Sequence, residues 1–348
     1  MKAQKLKGLG LALDTGPMEA VSVSALPETA DGWQFEPKWD GFRCLAFRAG
    51  DEVEIKAKSG KSLSRFFPEV LDNLRALPHK AFVLDGELVI TGAEGLSFDA
   101  LQMRLHPAES RIRKLARETP ATFIVFDCLL AEAGKPLLDR PLVKRREALE
   151  RLFKKLAGAR GVKLTTYTRD LDKARAWLTG GPASLDGVIA KRLDQPYLPG
   201  ERAMLKVKNL KTADCVVGGF RYESKRPMVG SLLLGLYDDA GLLHHVGFTS
   251  SISAEDRPAL TKRLEKLIAA PGFTGNAPGE PSRWSTERSA DWKPLRPKLV
   301  VEVRYDHVTG DRFRHGTKLM RWRPDKAPKQ CTFEQIRSAV KPDEVMAL

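Results

Sequence analysis

The sequence predicts an α+β chain in two parts: packed antiparallel sheets with helices first, then a small β-barrel. Three observations carry this. Strand-like and helix-like segments alternate from Trp33 to about Lys211. From Ala213 onward short strands and turns take over, with one helix among them. The length, 348 residues, suits two domains and exceeds one small module. The boundary falls near residue 212, giving a first domain over 1–212 and a second over 213–348.

The elements follow in order. Residues 1–30 mix Gly, Pro and small residues and read as irregular. Residues 81–90 (AFVLDGELVI) and 121–130 (ATFIVFDCLL) are rich in Val, Ile and Phe and read as strands. Residues 141–157 read as a basic amphipathic helix, with Leu142, Leu149, Leu152, Phe153 and Leu156 on one stripe and Pro141 in its first turn. Residues 185–192 and 203–208 read as two further strands. Beyond them, ADCVVGGFRY and SLLLGLYDDAGLLHHVGFTS read as a meander that turns at Asp239-Ala240-Gly241. AEDRPALTKRLEKLIAA reads as a helix, 271–283 as a Pro/Gly-rich connection, and KLVVEVRYDHV as another strand. Short strands with one helix and a basic tail suggest an OB-like barrel facing nucleic acid.

Composition narrows the function. Hydrophobic residues make up 42% and charged residues 29%, which excludes bulk disorder. No run of about 18 apolar residues occurs, so no membrane span is expected. The first twenty residues hold no apolar run of a secretory signal. Cys44, Cys128, Cys215 and Cys331 are far apart and form no CxxC pair, which argues against a zinc ribbon or a disulfide framework and fits a reducing cytosol. Lys and Arg number 58 against 44 Asp and Glu, a net charge of +14, which suits a polyanionic partner. Residues 291–330 alone hold eleven Lys or Arg and five Asp or Glu.

The chemistry sits in five short segments. Lys38 in Glu36-Pro37-Lys38-Trp39-Asp40-Gly41-Phe42-Arg43 precedes a turn. Alone, such a lysine is usually solvated; with a lowered pKa it is a nucleophile. Asp85 and Glu87 are two apart on a strand and share a face, where they suit a ribose hydroxyl or a hydrated Mg²⁺. Phe126 lies on an alternating strand, suited to a core or to stacking on a base. Asp186 opens the apolar strand DGVIAKR, and Lys206 and Lys208 share a face of LKVK. Two ammoniums on one face repel unless an anion lies between them, which favours phosphate.

The ordered set KWDGFR, LDGELV, FIVFDCL, DGVIAKR and LKVK resembles the nucleotidyltransferase motifs of ATP-dependent DNA ligases. Arg321-Trp322-Arg323-Pro324-Asp325-Lys326 resembles the last motif of that superfamily. The stretch RFRHGTKLMRWRPDKAPKQC is most similar to the small bacterial C- and D-type ligases of end joining and repair. The resemblance covers roughly residues 18–335. It implies an adenylation domain followed by an OB-fold domain.

It also implies roles. Lys38 would form lysyl-AMP, Glu36 would contact adenine through its backbone, and Arg43 would contact the nucleotide. Glu87 would bind the ribose, Phe126 would stack on the base, and Arg202, Lys206 and Lys208 would hold phosphates. Asp186 and Glu87 would hold Mg²⁺, with Mn²⁺ the alternative. Arg323, Asp325 and Lys326 would orient pyrophosphate, after which the barrel domain would swing about a hinge near Lys211 to Asp214. Two positions depart from the family. Asp186 stands where many ligases have Glu, one methylene longer. Lys58, in Ala57-Lys58-Ser59-Gly60, stands in a segment that carries Arg in many relatives, so its nucleotide contact lacks a bidentate fork.

The implied substrate is nicked duplex DNA, bound without sequence readout and weakened steeply by salt. The implied enzyme is a monomeric, cytoplasmic, nucleoid-associated bacterial ligase core, lacking the large N-terminal DNA-binding domain of eukaryotic ligases. An end-binding or repair polymerase protein is its expected partner. The rivals are an RNA ligase or capping guanylyltransferase of the same superfamily, and a catalytically inactive DNA-binding relative. The nucleotide that forms the adduct and the nick that is sealed separate them.

Overall fold

Two sheets carry the first part of the chain, and strand alternation decides what lies between them. The structure is a computed structural model that describes residue 6 and residues 8–92, 95–131, 135–154, 160–179, 185–279 and 291–337. The chain divides into two units between Asn209 and Leu210.

In the first unit, one sheet has five strands in the order Glu52–Ala57, Phe42–Ala49, Ala81–Val89, Thr122–Leu130, Val162–Leu164. Its pairings are antiparallel except the last. The other sheet has four strands in the order Glu19–Val23, Arg202–Lys208, Gly187–Arg192, Trp33–Lys38. Successive side chains leave opposite faces of a strand. Cys44, Ala46, Leu84 and Leu88 therefore turn outward under the helices Pro68–Ala76 and Leu142–Lys154, meeting Val70, Leu74, Leu149 and Leu152. Phe35, Val188 and Ala190 turn outward from the other sheet onto Ala174 and Trp177 of the helix Leu171–Thr179. The remaining faces look at each other, and Leu45, Phe47 and Val83 of one sheet pack with Met204 of the other. Each such side chain, fully buried, contributes roughly 1.5–3 kcal/mol.

The second unit is a curled sheet. Its strands run Leu243–Thr249, Val229–Tyr237, Lys211–Tyr222, Val300–Tyr305, Lys318–Trp322, with Lys293–Pro294 pairing beside Lys211–Tyr222. Thr249 bridges to Thr317, just before the far edge strand, and its hydroxyl donates to the Thr317 carbonyl at 2.9 Å. That bridge ties the two edges and closes the barrel. The helix Arg257–Glu265 buries Leu260 and Leu264, and its Thr261 hydroxyl accepts the Val229 amide proton at 2.9 Å. The four cysteines are free and buried.

Three expectations differ from what is observed, and one helix runs to the edge of the described residues. Residues 1–30 contain the strand Glu19–Val23, which runs parallel to Arg202–Lys208. A partner some 180 residues away leaves no local turn signal. The helix expected over AEDRPALTKRLEKLIAA spans only Arg257–Glu265, because Ile268 bridges Leu295 and the Ala269 amide bonds the Pro294 carbonyl. The helix expected over 141–157 is observed as Leu142–Lys154; residues 155–157, like 280–283 of the Pro/Gly-rich connection, lie outside the described residues. Lys211–Asp214, expected as a hinge, begins the strand Lys211–Tyr222 and pairs with Glu302–Tyr305. Asn209 and Leu210 alone separate that strand from Arg202–Lys208.

Candidate active site

Two rungs of the four-stranded sheet assemble the site. Lys38, Gly187 and Lys208 stand opposite one another on neighbouring strands, and so do Glu36, Ile189 and Lys206. Residues opposite one another, or two apart, share a face. Glu36, Lys38, Lys206 and Lys208 therefore look toward the five-stranded sheet. That sheet answers with Arg43 opposite Glu87 and Leu45 opposite Asp85. Gly187 has φ +144° and a Cβ there would run into the Val207 carbonyl, so only glycine lets the strand Arg202–Lys208 close in. Gly41 serves similarly: a Cβ would strike the Leu88 carbonyl in the turn that follows Lys38.

Lys38 ends its strand, and its ammonium is ion-paired with Asp186, which is buried. The Asp186 amide donates to the Lys38 carbonyl at 3.0 Å, so backbone pairing holds these two residues together. Burial lowers the pKa of Lys38; Glu87 and Asp40 pull it back up, and Lys208 and Lys206 push it down again. A lysine so placed gives up its proton more easily than an exposed one, as a nucleophilic amine requires. Burial also pushes the Glu87 carboxyl up, to about 7, against the opposing pull of Arg43 and Lys38.

Arg43 is clamped. Its Nε and Nη2 each donate to Asp85 at 2.7 Å, and the Tyr197 hydroxyl donates to Asp85 at 2.6 Å. Burial works against the charge on Arg43, and the Asp85 carboxylate outweighs it. The guanidinium then lies 4.5 Å from the centroid of the Phe126 ring, with the Lys191 ammonium 4.8 Å from the same centroid. Phe126 is 8% exposed. Lys191 pairs with Glu36 at 2.7 Å, both buried, and Gln34 Nε2 donates to Glu36 at 2.8 Å. The Glu36 side chain is thus engaged within the protein.

Beside the lysines lies a cationic group. Lys58 and Arg202 approach one carboxylate, Glu19, at 2.9 and 3.7 Å. Burial lowers the pKa of Lys206, and Lys208, Lys58 and Arg202 lower it further by repulsion. In the second unit, Arg323 Nη1 donates to both Asp214 oxygens at 2.8 and 3.0 Å, and Lys326 donates to the same residue at 2.7 Å. The other donors of Arg323 go to Asp325, at 2.7 to 3.2 Å.

Glu36, Lys38, Arg43, Glu87, Phe126, Asp186, Lys206 and Lys208 thus gather in the first unit, with Lys58 and Arg202 around Glu19. Arg323, Asp325 and Lys326 gather around Asp214 in the second. Sequence reasoning passed over Lys191, although alternation in DGVIAKR sets Gly187, Ile189 and Lys191 on one face. It also missed Tyr197, Glu19 and Asp214, whose contacts are long-range and carry no local mark.

Two family models match the chain: the ATP dependent DNA ligase domain over residues 17–208, and the ATP dependent DNA ligase C terminal region over residues 225–326. DNA ligase C1 of Mycolicibacterium smegmatis is 46% identical over 330 residues, spanning 92% of this chain and 93% of the relative. DNA ligase C of Mycobacterium tuberculosis is 43% identical over 337 residues, with the same shares of each chain. A solved structure from work on Lig E DNA ligases covers 88% of this chain and 99% of its own, at 16% identity and a TM-score of 0.53, a likeness of fold. The architecture is that of an adenylation domain followed by an OB-like domain.

Proposed function

The chain belongs to the ATP-dependent DNA ligases, and from that premise we infer that Lys38 is the residue that takes up AMP. The observation that supports this is the placement of Lys38: half-buried beside Asp186 and Glu87, with Lys206 and Lys208 on the same sheet face. The neutral amine attacks the α-phosphorus of ATP. An N–P bond forms, the bond to the bridging oxygen breaks, and pyrophosphate leaves with that electron pair. A 5′-phosphate oxygen at a DNA nick then takes the AMP and frees Lys38. The 3′-hydroxyl attacks the activated phosphate, AMP leaves, and the phosphodiester is restored. In this chemistry the protein supplies position and charge.

Arg202, Lys206 and Lys208, with Lys58, suit the phosphates. Glu87 suits the ribose, and the Phe126 ring the base, with Arg43 fixing the pocket through Asp85. Mg²⁺ suits Asp186 and Glu87: both offer hard oxygen donors, and a nearby cation would favour the charged form of the half-buried Glu87 carboxyl that burial pushes up. When bound, the metal would offset phosphate charge. Mn²⁺ suits the same donors. Nicked duplex DNA suits the basic chain, and a repair role follows from the likeness to C-type ligases. No helix among the described residues is long and apolar enough to cross a membrane. An end-binding or polymerase partner and a monomeric state in the bacterial cytoplasm complete the reading.

The test uses ATP labelled at the α-phosphate, Mg²⁺ and protein first stripped of bound AMP with pyrophosphate. An acid-labile label retained on a denaturing gel is expected with ATP and not with GTP. Label from GTP would move the reading to capping chemistry, and no label from either nucleotide would reject it. Phe126→Leu, which keeps most of the volume and removes the ring, is expected to raise the KM for ATP about tenfold. The melting temperature should barely move; a collapse of the fold with unchanged KM would assign Phe126 to the core.

A further inference from the structure

One carboxylate stands among the cations that suit the phosphates, and the reaction as derived above does not use it. Glu19 opens the strand Glu19–Val23, opposite Arg202. Its amide donates to the Glu201 carbonyl at 2.7 Å, which pins the backbone. Its side chain meets Lys58 at 2.9 Å and Arg202 at 3.7 Å. Lys58 is itself fixed by its amide, which donates to the Arg43 carbonyl at 3.1 Å. The hydrogen bond from Lys58, outweighing burial, holds the Glu19 carboxyl below its ordinary range. Glu19 is therefore charged at neutral pH.

Stability does not explain this arrangement. Lys58 is 57% and Arg202 74% exposed at the side chain, and exposed pairs of this kind contribute little to folding. A carboxylate oxygen and a phosphate oxygen are both anionic acceptors that take the same lysine and arginine donors. We propose that Glu19 is a positioning residue that stands in for a nucleotide phosphate, holding Lys58 and Arg202 in place until the phosphate displaces it. This rests on the reading of Lys58, Arg202 and Lys206 as phosphate-binding residues. Two consequences follow. The cations are gathered in advance, and the carboxylate competes with any polyphosphate that arrives. Apparent affinity falls by the share of sites in which Glu19 holds the cations. The ligand class is the terminal phosphates of ATP and, after transfer, pyrophosphate. A competitor built into the site eases release of both.

The test is Glu19→Gln, close in shape and without charge, in single-turnover lysyl-AMP formation at varied ATP. The KM for ATP is expected to fall about fivefold, ~1 kcal/mol, with the saturating rate within twofold of wild type. The Ki of pyrophosphate should fall by the same factor. Lys58→Ala and Arg202→Ala are measured alongside, and the combination with Glu19→Gln closes the cycle. In the Lys58→Ala, Arg202→Ala background the Glu19→Gln effect should vanish. An unchanged or raised KM in Glu19→Gln, while Lys58→Ala raises it, overturns the competitor role alone. A fall that survives the loss of both cations overturns it too, since Glu19 would not act through them. If neither cation variant changes the KM, the phosphate reading itself fails.

Discussion

Lys38→Ala is expected to abolish the AMP adduct while leaving nicked-DNA binding intact and the sealing of pre-adenylated nicks within about tenfold of wild type. The argument starts from position. Lys38 closes its strand opposite Gly187, and Asp186 holds its ammonium at the mouth of the site. Burial has already lowered the cost of making the amine neutral. No neighbouring group replaces it. Lys208, on the same rung across Gly187, and Lys206, on the rung of Glu36, are matched to phosphate, and Lys191 is held by Glu36 in a buried pair. Alanine removes the only bond-forming atom in the first step, so residual rate should fall below detection. The last step joins a 3′-hydroxyl to an already activated phosphate and does not use the amine. The measurement pairs labelled-ATP transfer with sealing of a chemically adenylated nick. Residual adduct would move the nucleophile elsewhere. Loss of both activities would mean that alanine had disturbed the pocket, for which the retained DNA binding and melting temperature provide the check.

Much of this site was legible in the sequence, for a physical reason. Lys38, Glu87, Phe126, Lys206 and Lys208 sit on strands, where a period of two assigns each residue to a face without knowledge of the partner strand, and Asp186 immediately precedes one. The strands Ala81–Val89, Thr122–Leu130 and Arg202–Lys208 were readable for the same reason. What stayed hidden depends on contacts between distant segments. The strand Glu19–Val23 exists because Arg202–Lys208 offers it an edge, and nothing in EAVSV marks a parallel pairing. Asp85 looked like a second site carboxylate beside Glu87. It is instead taken up by Arg43 and Tyr197, the latter 112 positions away. Sharing a face with Glu87 did not mean sharing its task. Asp214 read as a hinge residue, and is a strand residue whose carboxylate gathers Arg323 and Lys326.

Glu87 shows what this division of labour costs the fold, and Glu87→Gln is expected to stabilise the protein above neutral pH while impairing ATP use. Burial pushes its carboxyl from an ordinary 4.5 up to about 7; Arg43 and Lys38 pull it back only in part, and Asp40 and Asp85 oppose that pull. Arg43 is already committed to Asp85. Between roughly pH 4.5 and 7 the folded protein holds a proton that the unfolded chain has released, so stability falls as pH rises through that window. Above it the loss is complete and amounts to about 3 kcal/mol at 1.36 kcal/mol per pKa unit. Glutamine has no proton to lose. The melting temperatures of the two proteins should therefore nearly coincide at pH 4.5 and separate by several degrees at pH 8, the variant higher, measured without nucleotide or metal. Its lysyl-AMP formation should fall, because the amide no longer offers a charged acceptor to the ribose or an anionic donor to a divalent cation. A variant less stable at every pH would show that Arg43 and Lys38 satisfy the carboxylate. A difference independent of pH would show that Glu87 titrates alike in both states. Gain in stability paired with loss of chemistry would identify Glu87 as a residue kept charged for the reaction at the expense of the fold.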